Sequence, residues 1–356
     1  MNLATLGFDK WFEDTLDGRT LMDRRIGRIL AVDRDSYLLQ GDTHAVRAEL
    51  TGKLMFNAET AMDFPAVGDW VTARYFDEDS FAIIDDILPR KSVLRRKTSG
   101  KKVAYQLIAA NIDTAFVVQS LDNNFNLRRL ERYLVMIHEG GIAPLLLLSK
   151  SDLMTSRDVD DKIKKVHAVT PDLPVLAFSS KTQEGIERLK EILIPNKTYC
   201  LLGSSGVGKT TLINGLIGEN AFETRSIREK DGKGRHATSR RQLVFLKNNA
   251  MIIDTPGMRE LGNIGVEAGI QGVFDDIEAL SRKCRYGDCS HVNVKGCAVE
   301  AAVKAGQITQ DRYQSFLKLG RESRYNKMSY LEKRQRDRAF GKMVKSVMKN
   351  KKKDRF

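Results

Sequence analysis

The spacing of hydrophobic and polar positions changes character twice along the chain. From Arg25 to about Leu94, apolar residues come in short alternating runs, Ile26–Val32, Tyr37–Gln40, His44–Glu49, Asp69–Tyr75 and Phe81–Leu88. Turn-forming residues part them at Asp33-Arg34-Asp35, Gly41-Asp42 and Gly68-Asp69. The alternation predicts short strands, and so many strands in so short a stretch predict a small β-barrel, with an OB-fold as the natural architecture. Residues 1 to about 20 read as a short helical or poorly ordered lead-in.

From about Gln106 the pattern becomes one of unbroken apolar runs and helical stripes. Ile112–Gln119, Ile142–Leu148, Val175–Phe178 and Tyr199–Leu202 have the continuous apolar character of strands buried on both faces. Leu127–His138 sets Leu130, Leu134 and Ile137 on one helical face. Further helices are predicted before Val175, over Gly185–Ile192 and over Thr210–Ile217, with Gln242–Leu246 and Met251–Ile253 as later strands. Such alternation predicts a mostly parallel, three-layer α/β domain. The expected division is therefore residues 1–95 for the lead-in and barrel, 96–272 for the α/β domain, and 273–356 for a mainly helical C-terminal segment.

Composition adds a boundary to this picture. With 42% hydrophobic and 29% charged residues in 356, the chain reads as globular rather than disordered. The longest apolar run, Ile142–Leu148, contains Pro144 and is too short to span a bilayer. Acidic Asp9, Glu13 and Asp14 argue against a secretory signal, and a cytoplasmic location is expected. The net charge of +13 is concentrated at one end: Arg321–Phe356 holds fourteen Lys or Arg against four Asp or Glu. A basic tail on a near-neutral body points to a polyanionic partner. Within it, Phe340, Met343, Val344, Val347 and Met348 follow the spacing of an amphipathic helix, flanked by Lys342, Lys345, Lys349 and Lys351-Lys352-Lys353. That stripe fits a helix facing RNA; a helix packed on its own domain or lying on a membrane surface has the same pattern.

The chemistry centres on Gly203-Ser204-Ser205-Gly206-Val207-Gly208-Lys209-Thr210, a complete G-x(4)-G-K-[ST] phosphate-binding loop between an apolar strand and a helix, followed by Thr211. Its glycines let backbone N–H groups converge on phosphate oxygens at the positive end of the following helix. Lys209 is expected to reach the β- and γ-phosphates, and the Thr210 hydroxyl to coordinate Mg²⁺. Asp254-Thr255-Pro256-Gly257 closes a strand, where Asp254 can hold Mg²⁺ through water and the Gly257 N–H can sense the γ-phosphate.

Two further loops stand ahead of the phosphate loop. In Ser149-Lys150-Ser151-Asp152, the Asp152 carboxylate can accept from both N1–H and N2–H of guanine, a donor pair adenine lacks, and Lys150 can lie along the base. Ser149 stands where GTPases generally have Asn. Ser179-Ser180-Lys181, after the next strand, resembles the loop that contacts the guanine oxygen through backbone N–H. GTP and GDP are thus the expected ligands.

Cysteine usage supplies a second centre. Cys284-x(4)-Cys289-x-His291-x(5)-Cys297 offers three thiolates and an imidazole, a full tetrahedral Zn²⁺ set with no position left open for substrate, hence one structural zinc. Cys200 stands alone in an apolar run and reads as a buried structural thiol.

On these motifs the chain resembles the circularly permuted GTPases, and specifically the ribosome small-subunit-dependent GTPase family (RsgA). The likeness is carried by Gly203–Thr211, Asp254–Gly257, the loop Gly234-Arg235-His236-Ala237-Thr238-Ser239 and the Cys/His cluster, and it extends over nearly the whole chain. It implies a factor acting late in maturation of the 30S subunit on its 16S rRNA, monomeric, with GTP hydrolysis stimulated by that subunit. It also implies that His236 positions the attacking water and that Thr238 makes the switch contact to Mg²⁺ and γ-phosphate. The chain has Met258 where many GTPases carry Gln, and a thioether cannot orient water by a strong hydrogen bond. Two other readings remain open at this point: a nucleotide-gated RNA-binding module with incidental hydrolysis, and a P-loop ATPase.

Overall fold

The computed structural model describes residues 2–16, 23–34, 36–97, 105–122, 124–218, 241–254, 269–270, 272–328 and 332. The described residues form two compact units, one up to Asp254 and one from residue 269 onward.

The first unit begins with a 3-10 turn, Leu3–Leu6, and helix α1, Lys10–Leu16. Its barrel consists of β1 (Arg25–Val32), β2 (Tyr37–Gln40), β3 (Ala45–Leu50), β4 (Trp70–Phe76) and β5 (Phe81–Ile87), with helix α2 (Gly52–Asn57) between β3 and β4. The strands neighbour one another in the order β1-β2-β3-β5-β4, and β4 pairs back onto β1 to close the barrel. Only β3 and β5 run parallel within it, the OB arrangement expected from the alternation. Period-two patterning does the work: Val46 and Ala48 of β3 face inward while Arg47 and Glu49 face solvent. Ile29, Leu39, Val71, Ala73, Ala82 and Ile84 complete that core.

One element differs from the sequence reading. Helix α2 was not predicted: Thr51 caps it by accepting from Leu54 N at 3.3 Å, and Leu54 packs on the barrel, but Met55 and Phe56 are exposed, so no apolar stripe marks it. The lead-in is not loose. Leu6, Phe8 and Phe12 bury against Ile26, Trp70 and Leu88, with the Phe8 ring set edge-on to Trp70 at 4.9 Å.

A hairpin of β6 (Val93–Lys97) and β7 (Tyr105–Ala110) leads into the α/β part. There follow β8 (Thr114–Ser120), α3 (Leu127–Glu139), β9 (Ala143–Ser149), α4 (Ser156–His167), β10 (Val175–Phe178), α5 (Ile186–Ile192), β11 (Thr198–Leu202), α6 (Lys209–Ile217), β12 (Gln242–Phe245) and β13 (Met251–Asp254). Strands β10-β9-β8-β11-β13 lie side by side and parallel, and β12 adds antiparallel at the edge. The unbroken apolar runs are explained by burial on both faces: Phe116, Val118, Leu145, Leu147, Leu201 and Ile252 pack with Leu212 and Ile213 of α6 and Leu189 of α5, and the alternate residues Val117, Leu146, Leu148, Leu202 and Ile253 are buried as well. Each such side chain contributes about 1.5–3 kcal/mol by leaving water. The free edge of β12 takes β1 at Ala31↔Gln242, so barrel and α/β sheet are continuous.

The second unit contains α7 (Asp275–Ser281), α8 (Ala298–Lys304) and α9 (Gln310–Lys327). Phe274, Ile277, Val299, Ala302 and Leu317 are buried. Arg312 forks onto Asp276 at 2.7 and 2.9 Å while covering the Phe274 ring at 4.8 Å. The stripe Phe340–Met348 and the basic run after it lie outside the described residues. Among the described residues no helix is long and apolar enough to cross a membrane.

Candidate functional site

Parallel strands deliver their carboxyl ends to one edge of a sheet, and in open α/β sheets ligands bind there. Here β8 leads to Asp122, β9 to Ser149–Asp152, β10 to Ser179–Lys181, β11 to Gly203–Thr210, and β13 ends at Asp254. Residues far apart in sequence, and in an order that puts the base loops first, therefore share one edge.

The phosphate loop is held from below and above. Val207 is fully buried in the α/β core and anchors its middle, while Ser205 and Gly206 are exposed. Gly208, the residue before α6, has φ +93°, a left-handed conformation that side chains rarely adopt, and it turns the chain into the helix. Lys209 curls back so that its Nζ donates to the carbonyls of Gly203 and Ser204 at 2.6 and 2.7 Å. Burial lowers its pKa from 10.5 to about 8, and the negative charge of Asp254 offsets part of that shift. Thr210 and Thr211 open α6.

The base loops are cross-linked to one another and to the phosphate loop. Ser149 is buried, and its hydroxyl donates to the Val207 carbonyl at 2.7 Å. The serine found in place of asparagine therefore spends its one proton tying the base loop to the phosphate loop. Lys150 sits in the left-handed region at φ 61° and its ammonium pairs with Asp122 at 2.9 Å. Burial would raise the Asp122 carboxyl, but Lys150 and the Ser120 hydroxyl outweigh it and hold the pKa below the ordinary carboxylate value. Ser179 Oγ donates to Asp152 Oδ1 at 2.6 Å and accepts from the N–H groups of Lys181 and Thr182 at 3.1 and 3.2 Å. One hydroxyl thus fixes the acid of the first base loop and the turn of the second. Ser151 Oγ lies 3.5 Å from Glu184, and Ser180 accepts from Gln183 Nε2 at 2.7 Å.

Sequence reading missed Asp122, because a lone acid after a strand is an ordinary surface residue; only its pairing with Lys150 singles it out. The Val207 carbonyl has no sequence signal at all. His236, Thr238, Gly257 and Met258 lie outside the described residues. Cys200 is fully buried in β11, where burial raises its thiol pKa, as befits an inert packing residue.

In the second unit, Cys284, Cys289, His291 and Cys297 bring one ligand atom each to within 4.8 Å of one another. Cys284 Sγ and Cys297 Sγ are 3.9 Å apart, and His291 Nδ1 is 3.6 and 3.5 Å from them. Tetrahedral zinc with Zn–S near 2.3 Å needs sulfur atoms about 3.8 Å apart, so the donor set fits the ion. The other ring nitrogen of His291 lies 3.2 Å from Ser281 Oγ, and Tyr313 donates its hydroxyl proton to the His291 carbonyl, which fixes the ring and its loop. Backbone N–H groups of Ala298 and Glu300 point at Cys284 Sγ and Cys297 Sγ, each at 3.4 Å.

Comparison with known proteins agrees with this layout. Residues 87–264 match the family described as RsgA GTPase. A protein named small ribosomal subunit biogenesis GTPase RsgA 2 from Vibrio parahaemolyticus is 39% identical over 99% of this chain and 94% of its own. Its namesake from Lactiplantibacillus plantarum is 42% identical over 89% of each chain. The crystal structure of YjeQ from Thermotoga maritima aligns with TM-score 0.60 at 24% identity, covering 84% of this chain and 98% of its own. YloQ, described as a circularly permuted GTPase, aligns with TM-score 0.60 at 22% identity over 88% and 99%. With a phosphate loop, base loops and acid-tipped strand on one sheet edge in permuted order, and with relatives matched over nearly its full length, the chain belongs to the RsgA GTPase family.

Proposed function

We propose that the protein hydrolyses GTP while assisting late maturation of the small (30S) ribosomal subunit, and that the subunit stimulates the hydrolysis. The observation that carries this reading is the near-complete alignment with proteins named for small-subunit biogenesis, zinc segment included. In this reading Gly203–Thr211 cradle the phosphates, with Lys209 on the β- and γ-phosphates. Thr210, Thr238 and Asp254 hold Mg²⁺, and the Gly257 N–H meets the γ-phosphate. Asp152 selects guanine, Lys150 lies along the base, and Ser179–Lys181 supply N–H groups to its oxygen; Ser149 positions the first base loop through Val207. One zinc on Cys284, Cys289, His291 and Cys297 supplies a structural crosslink. The basic tail is assigned to 16S rRNA, the protein to the cytoplasm and to a monomer, and the chain to domains 1–95, 96–272 and 273–356.

His236 is assigned to orienting the attacking water, a role that Met258 cannot fill. His236→Ala is expected to abolish 30S-stimulated turnover while GTP affinity stays within about twofold, because positioning the nucleophile contributes to the transition state and not to nucleotide binding. Undiminished stimulated turnover in this variant refutes the assignment.

Lys209 gives the site a pH dependence. Without nucleotide the buried Lys209 titrates at about 8, and bound phosphates favour its charged form, so binding takes up a proton as pH rises past that value. Affinity is fully present while Lys209 is protonated and is lost above pH 8. Between pH 7 and 8.5 the GTP affinity is expected to fall about fourfold. A flat affinity over that range, measured by calorimetry in buffers of differing ionisation heat, contradicts the role given to Lys209.

A further inference from the structure

Arg28 lies on β1 of the barrel and is 1% exposed. A guanidinium is costly to bury and is tolerated only where its donors are met by hydrogen-bond acceptors. Its donors go to neutral acceptors: Nη1 to the Leu6 carbonyl and to Met251 Sδ, the latter at 3.2 Å, Nη2 to Thr198 Oγ1 at 2.8 Å and the Asn111 carbonyl at 3.3 Å, and Nε to the Gly68 carbonyl at 3.3 Å. Burial lowers its pKa to about 10, offset in part by the charges of Asp113 and Asp69, so it remains a cation at neutral pH.

The acceptors identify what the arginine joins. Thr198 is the first residue of β11, which runs directly into the phosphate loop at Gly203. Met251 is the first residue of β13, which runs to Asp254. Leu6 belongs to the lead-in and Gly68 to the turn entering β4. Around this point the junction has no slack. Gly68, at φ +90°, faces the Ala110 carbonyl so closely that any side chain would collide with it, and Asn111 Nδ2 donates to the Gly68 carbonyl at 3.1 Å. β1 also continues the sheet through Ala31↔Gln242, the first residue of β12. One bonded junction therefore joins the barrel to the strands that lead to the phosphate loop and Asp254.

We propose that Arg28 is a positioning residue for the stimulation of GTP hydrolysis and not for its basal rate: it joins the origins of β11 and β13 to the barrel, so that a subunit seated on the barrel as well as on the basic tail is felt at the phosphate loop and Asp254. This rests on the reading that the small subunit stimulates turnover. Coupling between sites is carried by packed side chains, hydrogen bonds and secondary elements, and the β13-β12-β1 sheet with Arg28 across it supplies such a connection from barrel to phosphate loop.

The test compares Arg28→Met, which keeps length and removes the donors, with Thr198→Val, which removes one acceptor at nearly constant volume. Leu39→Ala, in the barrel core and outside the bonds that Arg28 makes, serves as a destabilised control. GTP affinity, basal turnover, 30S-stimulated turnover, co-sedimentation with 30S subunits and melting temperature are measured for each. Arg28→Met is expected to keep GTP affinity, basal turnover and subunit binding within about twofold while losing about tenfold of the stimulation. Thr198→Val is expected to lose stimulation by about threefold, within the range by which single substitutions modulate a coupling, and it carries the test if Arg28→Met does not fold. Leu39→Ala is expected to keep its stimulation despite a lower melting temperature. Full stimulation in both junction variants overturns the proposal alone, as does a loss in Leu39→Ala that scales with melting temperature. Absence of stimulation in the unaltered protein overturns the functional reading and the proposal with it.

Discussion

Replacing Asp152 with asparagine is expected to move the preference of the protein from GTP to XTP. The carboxylate is an acceptor at both oxygens, and guanine presents N1–H and N2–H side by side to it. An amide turns one of those acceptors into a donor, which opposes the guanine amino group and matches the O2 acceptor of xanthine. A bond to a charged acceptor is worth about 1.5–3 kcal/mol, so losing the one to the amino group weakens GTP by roughly tenfold to a hundredfold. The loop itself should survive, because the amide oxygen can keep the bond that Asp152 Oδ1 now accepts from Ser179. Displacement of labelled GDP by GTP, XTP and ATP reads the result. A variant that still prefers GTP shows that guanine is selected elsewhere.

Cys297→Ser is expected to cost the second unit its fold. Cys297 is 5% exposed and its sulfur lies within bonding reach of the same point as Cys284 and His291. Structural zinc contributes about 10–16 kcal/mol of apparent binding energy in small domains, far more than the small core of this unit supplies by itself. A serine hydroxyl is a poor substitute for a thiolate. Zinc content should fall well below one per chain, and amide hydrogen exchange over residues 272–328 should lose its protection. GTP affinity should stay within about twofold, since the nucleotide residues belong to the other unit and a ligand stabilises only the part it binds. Zinc-free protein whose second unit keeps its protection contradicts the assignment.

Much of the fold was legible because burial imposes simple periods. Leu145–Leu148 and Tyr199–Leu202 are buried on both faces and read as unbroken apolar runs, while Val46 and Ala48 alternate with exposed neighbours and read as barrel strand. Helix α2 escaped because its Met55 and Phe56 point to water. The lead-in read as helical or poorly ordered and is helical, but its packing escaped: Leu6, Phe8 and Phe12 find their partners in Trp70 and Leu88, too far along the chain for any local pattern to show.

The candidate site was legible as motifs but not as a network. Ser149 read as the loss of an amide, whereas its hydroxyl reaches the Val207 carbonyl, fifty-eight residues on. Asp122 and Arg28 carried no signal because their meaning lies in what they touch. The Cys/His spacing was the opposite case, since ligand identity and spacing fix the chemistry, and the four side chains meet.

The most direct test of the account is the rate of phosphate release from GTP by the unaltered protein, alone and with purified 30S subunits, with ATP and with 50S subunits as controls. Completing a catalytic arrangement by supplying one oriented group is worth about a hundredfold in rate, and an increase of that order is expected with GTP and 30S subunits only. Turnover that is the same with and without 30S subunits, or as fast with ATP, would contradict it.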